Sequence, residues 1–166
     1  MYMNVVGLDL STSICGWAIS NNKIVKNAGF FNISKEKTFK EKACVIIDGI
    51  KNYCIDKINV EETMSGFARG FTSQQTLIKL VQNKSVICYI LEEAFKIPVC
   101  YCNVHTTRKK VFGKSRIKGM NPKEFVMMEL EKIMPELHKF DKKNKRNGFD
   151  KHNYDMYDAI VMSLAE

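Results

Sequence analysis

Four carboxylates stand where they could do chemistry together: Asp9 near the end of an apolar run, Glu61 directly after a second one, and Asp155 and Asp158 three residues apart in a third apolar segment. An isolated carboxylate is costly to bury, so an acid at the end of a core strand needs a partner or a metal. Asp155 and Asp158 share one helix face and repel each other unless a cation lies between them. Oxygen ligands drawn from separate elements suit Mg2+, which prefers octahedral oxygen coordination and keeps several of its waters. Two such ions about 4 Å apart can activate a water and stabilise the leaving oxygen of an in-line displacement at phosphorus. Each acid also has a plainer reading. Asp9 can start a turn with Ser11 and Thr12, and Asp155 and Asp158 can be solvated acids near a helix N-terminus, where the dipole tolerates negative charge. Glu62 points away from Glu61 if the strand continues through both, so only one of the two can face Asp9.

The elements that must carry these acids can be read in order. Residues 5–10 and 14–20 are apolar runs joined by a Ser-Thr-Ser turn, Asn21-Asn22 marks another tight turn, and residues 23–33 follow; this predicts a three-stranded antiparallel meander. From Thr38 onward Phe39, Ala43, Ile46, Ile47, Ile50 and Cys54 recur at helical spacing. Residues 55–60 read as a strand ending at Glu61. A Gly-bearing loop over 64–71 leads to a long helix over 74–95, with Thr72 or Ser73 as its cap and Leu77, Leu80, Val81, Ile87, Cys88 and Leu91 on one broad face. Pro98 opens a strand over 99–104. One helix is expected after Asn121 with Pro122 at its first position, and another over 154–164. Strands alternating with helices imply parallel pairing by right-handed crossovers. The expectation is an α/β fold with a mixed five-stranded sheet, antiparallel meander plus parallel strands, helices on both faces, in one domain over 1–166. Residues 139–153 read as a polar surface loop.

Composition bounds the partners. The apolar share is 45%, ordinary for a globular chain, and no stretch approaches the roughly 18 uninterrupted apolar residues of a membrane span. No basic leader precedes the first strand, so a cytoplasmic protein without a membrane partner is expected. Six cysteines lie mostly in apolar runs with no Cys-x-x-Cys pair, and buried reduced thiols are expected. Lys and Arg outnumber Asp and Glu 26 to 18, a net charge of +8, which suits a polyanion. The excess is concentrated in residues 108–123 and 138–152.

Three segments carry a resemblance. Residues 5–19 (VVGLDLSTSICGWAI), 59–64 (NVEETM) and 154–164 (YDMYDAIVMSL) together resemble, in order and spacing, the RuvC family of Holliday junction resolvases, of the ribonuclease H-like superfamily. The resemblance implies Asp9, Glu61, Asp155 and Asp158 as catalytic metal ligands for two Mg2+ ions, with Mn2+ able to substitute. It implies a homodimeric, Mg-dependent endodeoxyribonuclease that nicks opposing strands of a four-way junction to leave 5′-phosphate and 3′-hydroxyl ends. In its register Val111-Phe112-Gly113 stands in for a turn, Lys123 takes a catalytic place beside the scissile phosphate, and Arg108 comes near it. Lys109, Lys110, Lys114, Arg116 and Lys118 then become DNA contacts, as do Met64, at the family's aromatic wedge position, and nearby Phe67 and Arg69. The long segment 139–153 is similar to the phage or poxvirus branch. The apolar faces of helix 74–95 suggest the dimer contact.

Two other classes compete. A non-catalytic branched-DNA-binding module could keep the fold, but retention of all four acids argues against it. GLDLSTS also resembles the phosphate strand-turn of actin-like phosphotransferases, yet 166 residues are too few for both lobes and no second Gly-rich loop exists.

Overall fold

The computed structural model describes residues 3–62 and 74–165. Strand β1 (Asn4–Leu10) pairs antiparallel with β2 (Ile14–Asn21), which pairs antiparallel with β3 (Ile24–Asn32). The second turn is built on Asn22 and Lys23, with φ of 48° and 60°, one residue later than expected. Two successive left-handed residues match the twist of a tight hairpin, and Asn tolerates that conformation. Helix α1 (Phe39–Ile50) starts on a full capping box: Thr38 accepts from the Glu41 amide while the Glu41 carboxylate accepts from the Thr38 amide. Strand β4 (Lys57–Glu61) lies parallel to β1, and β5 (Val99–Cys102) parallel to β4, with the 22-residue helix α2 (Gln74–Phe95) in the crossover between them. The sheet order is β3-β2-β1-β4-β5, the mixed five-stranded sheet that the periodicities imply.

The β5 strand ends two residues early because Asn103 caps a helix, α3 (Val104–Phe112), which Gly113 closes in the left-handed conformation at φ 76°. The expected turn at Val111-Phe112-Gly113 is therefore a helix C-terminus. Helix α4 (Pro122–Ile133) begins on an Asn121 cap with Pro122 in its first turn, as expected, and α5 (Asn153–Leu164) closes the fold. Residues 139–153 are more ordered than a polar loop. A 3-10 turn covers Leu137–Phe140, Lys143 bridges to Phe149, and the Asn153 amide bonds both backbone groups of Lys142. The cysteine expectation holds for Cys15 and Cys88, which are buried, and fails for Cys44 and Cys54, which are exposed.

Alternation along the strands splits the core in two. Val6, Leu8, Leu10, Ile58 and Val60 pack with α1 and α2 through Ala43, Ile46, Ile50, Ile87 and Leu91. The opposite face carries α5, which stacks Met156, Ala159 and Ile160 with Phe125 and Leu130 of α4. A Cβ on Gly7 or Gly16 would collide with the α5 backbone at Ala159 and Asp155, so the bare glycines let this helix lie directly on the sheet. Its last turn is held there. Ser20 donates to the Ser163 carbonyl at 2.5 Å, and the buried Asn59 amide donates to the carbonyls of Met162 and Ala165 at 2.9 and 3.1 Å.

At the far side of α5, Asp141 accepts a 2.6 Å bond from the Tyr157 hydroxyl, and His138 sits between Asp141 at 2.8 Å and Glu131 at 2.9 Å. Bonding to Asp141, chiefly, and then to Glu131 raises the His138 pKa above 6.5. The charged imidazole is thus favoured by folding, and its contribution is present below about pH 6.5 and lost as pH rises through the folded value. Because the ring is half exposed the effect is small. His138→Gln is expected to lower Tm by about 1–3 °C at pH 5.5 and by nothing at pH 8.5; an equal loss at both values in a thermal melt removes the ionic explanation.

Candidate active site

The four acids meet on the α5 face of the sheet, at the C-terminal ends of β1 and β4. Asp9 follows Gly7 on that face, and the parallel register that aligns Leu8 with Val60 sets Asp9 alongside Glu61. Glu61 shares its side of β4 with Asn59, whose amide reaches α5. Glu62 is exposed, and its amide donates to the Cys102 carbonyl at the sheet edge, so Glu61 is the inward acid of the pair. Asp9 is paired across β2 with Gly16, and Gly16 lies under the Asp155 carbonyl. That glycine contact brings the start of α5 over the end of β1. Asp158, one helical turn further on, is 14% exposed and completes the group.

Crowding of like charge is the site's dominant electrostatic feature. The Asp9 pKa is raised well above 3.8, first by burial and then by Glu61, Asp158 and Asp155. Glu61 is raised to about 7 by burial and Asp158, against the lowering pull of Lys84 and Arg108. Burial also raises Asp158, opposed by Arg108. Such a cluster is costly in water alone and becomes favourable when cations neutralise it.

Several cations already do so in part. Arg108 is buried and donates to Asp158 at 3.0 Å, so the first residue of the expected DNA-contact segment lies at the acids. Lys123 is half exposed, 3.8 Å from Asp155 and over the ring of Tyr154 at 5.5 Å, which places it beside the acids as the resemblance implies. His152 bonds the other Asp155 oxygen at 3.1 Å. A cleft of about 420 Å³ opens there, lined by Ser11, Ser13, Lys123, His152, Tyr154 and Asp155. Lys109 and Lys110 are exposed on α3, and Lys114, Arg116 and Lys118 are exposed on the connection to α4, where Lys114 pairs with Glu129 at 3.1 Å. Met64, Phe67 and Arg69 lie outside the described residues.

Among the described residues no three His, Cys, Asp or Glu side chains converge tightly enough to enclose one ion as they stand. Asp155 and Asp158 are instead engaged by His152, Lys123 and Arg108. The donor set nevertheless fits Mg2+ in kind: it is rich in carboxylate oxygen and crowded with unspent negative charge, the state that a hard divalent cation relieves. Two residues at the site escaped sequence reasoning. Lys84, on α2, donates to the Glu61 carbonyl at 2.5 Å, and Asn83 beside it donates to the Ser11 carbonyl at 3.0 Å. In the linear chain both look like the polar side of an amphipathic helix.

No family model matches the chain, and no curated protein matches it at the sequence level. Solved structures do. Thermus thermophilus RuvC in complex with a Holliday junction substrate superposes with a TM-score of 0.66 at 15% identity, over 98% of this chain and 92% of that one. A second structure of T. thermophilus RuvC gives 0.61 at 14% identity with the same coverage. The yeast mitochondrial Holliday junction resolvase gives 0.64 at 12% identity, over 98% of this chain and 77% of that one. At such identities the likeness speaks for architecture, and on that ground, together with the sheet order and the two-sided helical packing, the chain has a RuvC-like, ribonuclease H-like fold.

Proposed function

We propose that the chain is a structure-selective DNA endonuclease acting as a homodimer on four-way junctions, with Mg2+ as its cofactor and Mn2+ as a substitute. The observation that carries this is the convergence of Asp9, Glu61, Asp155 and Asp158 on one sheet face, beside Lys123 and a cleft open to solvent. In this reading the four acids hold two ions once Arg108, Lys123 and His152 yield their carboxylate contacts. The bound ions would supply an activated water and neutralise the leaving oxygen. Water adds to phosphorus, the bond from phosphorus to the 3′-oxygen breaks, and the products are a 5′-phosphate and a 3′-hydroxyl. The rest falls to the chain itself: Lys123 stabilises charge developing on the phosphate, and the exposed Lys109, Lys110, Lys114, Arg116 and Lys118 hold the backbone.

Support for a dimer comes from α2, which leaves Ile78, Val81, Val86 and Tyr89 exposed, Tyr89 by 64%, while Ile87 and Leu91 are spent on the core. No described helix is long and apolar enough to cross a membrane. Reduced cysteines fit a reducing compartment such as the cytoplasm. The polar segment 139–153 supports a place near the phage or poxvirus branch. Incubating the protein with synthetic four-way, three-way and linear duplexes in Mg2+ or Mn2+ tests the reading: paired nicks confined to branched DNA are expected, and binding without cleavage favours the non-catalytic module.

Anchoring and chemistry separate by salt. Junction affinity is expected to fall with salt at a log-log slope of about 0.9 per duplex phosphate neutralised. Lys143→Ala or Lys145→Ala should lower that slope by about one and weaken all branched substrates alike. Lys123→Ala should instead cut the single-turnover rate at saturating protein about 10²-fold, more than it cuts affinity. A shift in binding with that rate unchanged makes Lys123 an anchor.

A further inference from the structure

Lys84 is 6% exposed in the middle of α2, and Asn83 next to it is 1% exposed. A lysine is seldom buried so deeply without a carboxylate to meet it, because the ammonium is costly to desolvate. Its head points at a peptide: Lys84 Nζ donates to the Glu61 carbonyl oxygen at 2.5 Å. The charge is close enough to both Asp9 and Glu61 to oppose their rise in pKa. Asn83 donates to the carbonyl of Ser11, in the turn that follows Asp9, at 3.0 Å. Two consecutive residues of one helix therefore hold the ends of the two strands from which Asp9 and Glu61 project. A hydrophobic residue would fill the same space at lower desolvation cost, so stability alone is a poor account of an ammonium here.

We propose that Lys84 is a positioning residue of the acidic centre, fixing the end of β4 so that Glu61 faces Asp9 and serving as a standing counter-charge to the cluster, with Asn83 fixing the end of β1 in the same way. The proposal rests on the reading of these acids as a metal-dependent nuclease centre, and it adds a residue from the other face of the sheet. Among the described residues Arg108 is a second buried cation at the acids, and it binds Asp158 on α5.

The test compares wild type, Lys84→Met, Lys84→Arg and Asn83→Ala in three measurements: single-turnover cleavage of a synthetic four-way junction at saturating protein, junction Kd in Ca2+, and the rise in Tm caused by Mn2+ without DNA. Lys84→Met is expected to lower the rate about 10–100-fold, the range seen when a residue that orients a metal ligand is removed, with Kd within about twofold. The Mn2+ concentration giving half of the thermal shift should rise about tenfold. Lys84→Arg, which keeps the cation, should recover most of both. A Lys84→Met protein that loses Tm alone, with its rate per folded molecule and its Mn2+ response unchanged, overturns the proposal. Should that variant not fold, Asn83→Ala carries the decision, with a loss of about tenfold in rate expected and a wild-type rate overturning the paired-clamp argument. If wild type binds Mn2+ but cuts no branched DNA, the nuclease reading fails while the Mn2+ arm still decides for or against Lys84. If wild type neither cuts nor responds to Mn2+, both fall together.

Discussion

Asp9→Asn and Glu61→Gln are each expected to lower junction cleavage by about three orders of magnitude or more, beyond the 10–100-fold that follows loss of a mere supporting residue, while junction affinity stays near wild type. The same substitutions should make the protein more stable when no metal is present. Folding raises the pKa of Asp9 well above 3.8 and that of Glu61 from 4.5 to about 7, so both carboxyls are more easily protonated in the folded state. By linkage their contribution is most favourable below about pH 4 and is lost as pH rises through the folded values, which for Glu61 means the window from about 4.5 to about 7. Above that window the folded protein carries the full repulsion, which an amide removes. Glu61→Gln should therefore raise Tm by roughly 2–6 °C at pH 8 in EDTA, and by little at pH 4.5. Added Mg2+ should stabilise wild type at pH 8 more than the variant, reversing the order. Glu62→Gln, on the exposed neighbour, should change neither rate nor Tm appreciably. A Glu61→Gln protein that cuts normally, or that is less stable than wild type at pH 8 without metal, removes Glu61 from the centre.

How far the sequence foretold this site depends on the range of the interaction. Strand and helix identity are local, so the period-2 runs, the helical spacing after Thr38 and the Pro122 start are legible; strand alternation shows that only one of Glu61 and Glu62 can face Asp9, and the choice of Glu61 comes from the resemblance. Helix α3 is hidden in the sequence because its buried side chains are Thr107 and Arg108, not an apolar stripe; its two signals, the Asn103 cap and Gly113 at the far end, fit a strand end and a turn equally well. The inward course of Arg108 and Lys84 was not legible at all. Each is set by a partner that the fold supplies from 50 and 23 residues away, and in isolation each looks like a solvated cation. The consequence is specific: the resemblance sets Arg108 near the scissile phosphate, and the buried geometry pairs it with Asp158.

Gly16→Ala is expected to be severely damaging, and it tests how the acids are brought together. The added Cβ would overlap the Asp155 carbonyl and the following peptide, all backbone atoms that cannot rotate away. Either β2 or the first turn of α5 must move. Overpacking of this kind costs about 3 kcal/mol or more, and with Tm changing by roughly 2–4 °C per kcal/mol in a chain of this size the melt should fall by about 6–12 °C. A shift of about 1 Å at Asp155 should also cost cleavage about 10²-fold in the fraction that remains folded. Two controls separate space from backbone strain. At Gly29 a Cβ would stand 3.2 Å from Trp17 Nε1, the edge of a side chain, so Gly29→Ala should cost well under half as much. At Gly113 there is open space but φ is 76°, so Gly113→Ala should cost about 1 kcal/mol and leave cleavage unchanged. Losses in Tm at Gly16 no larger than those at Gly113, with cleavage retained, would mean that α5 does not depend on a bare sheet to deliver Asp155 to Asp9.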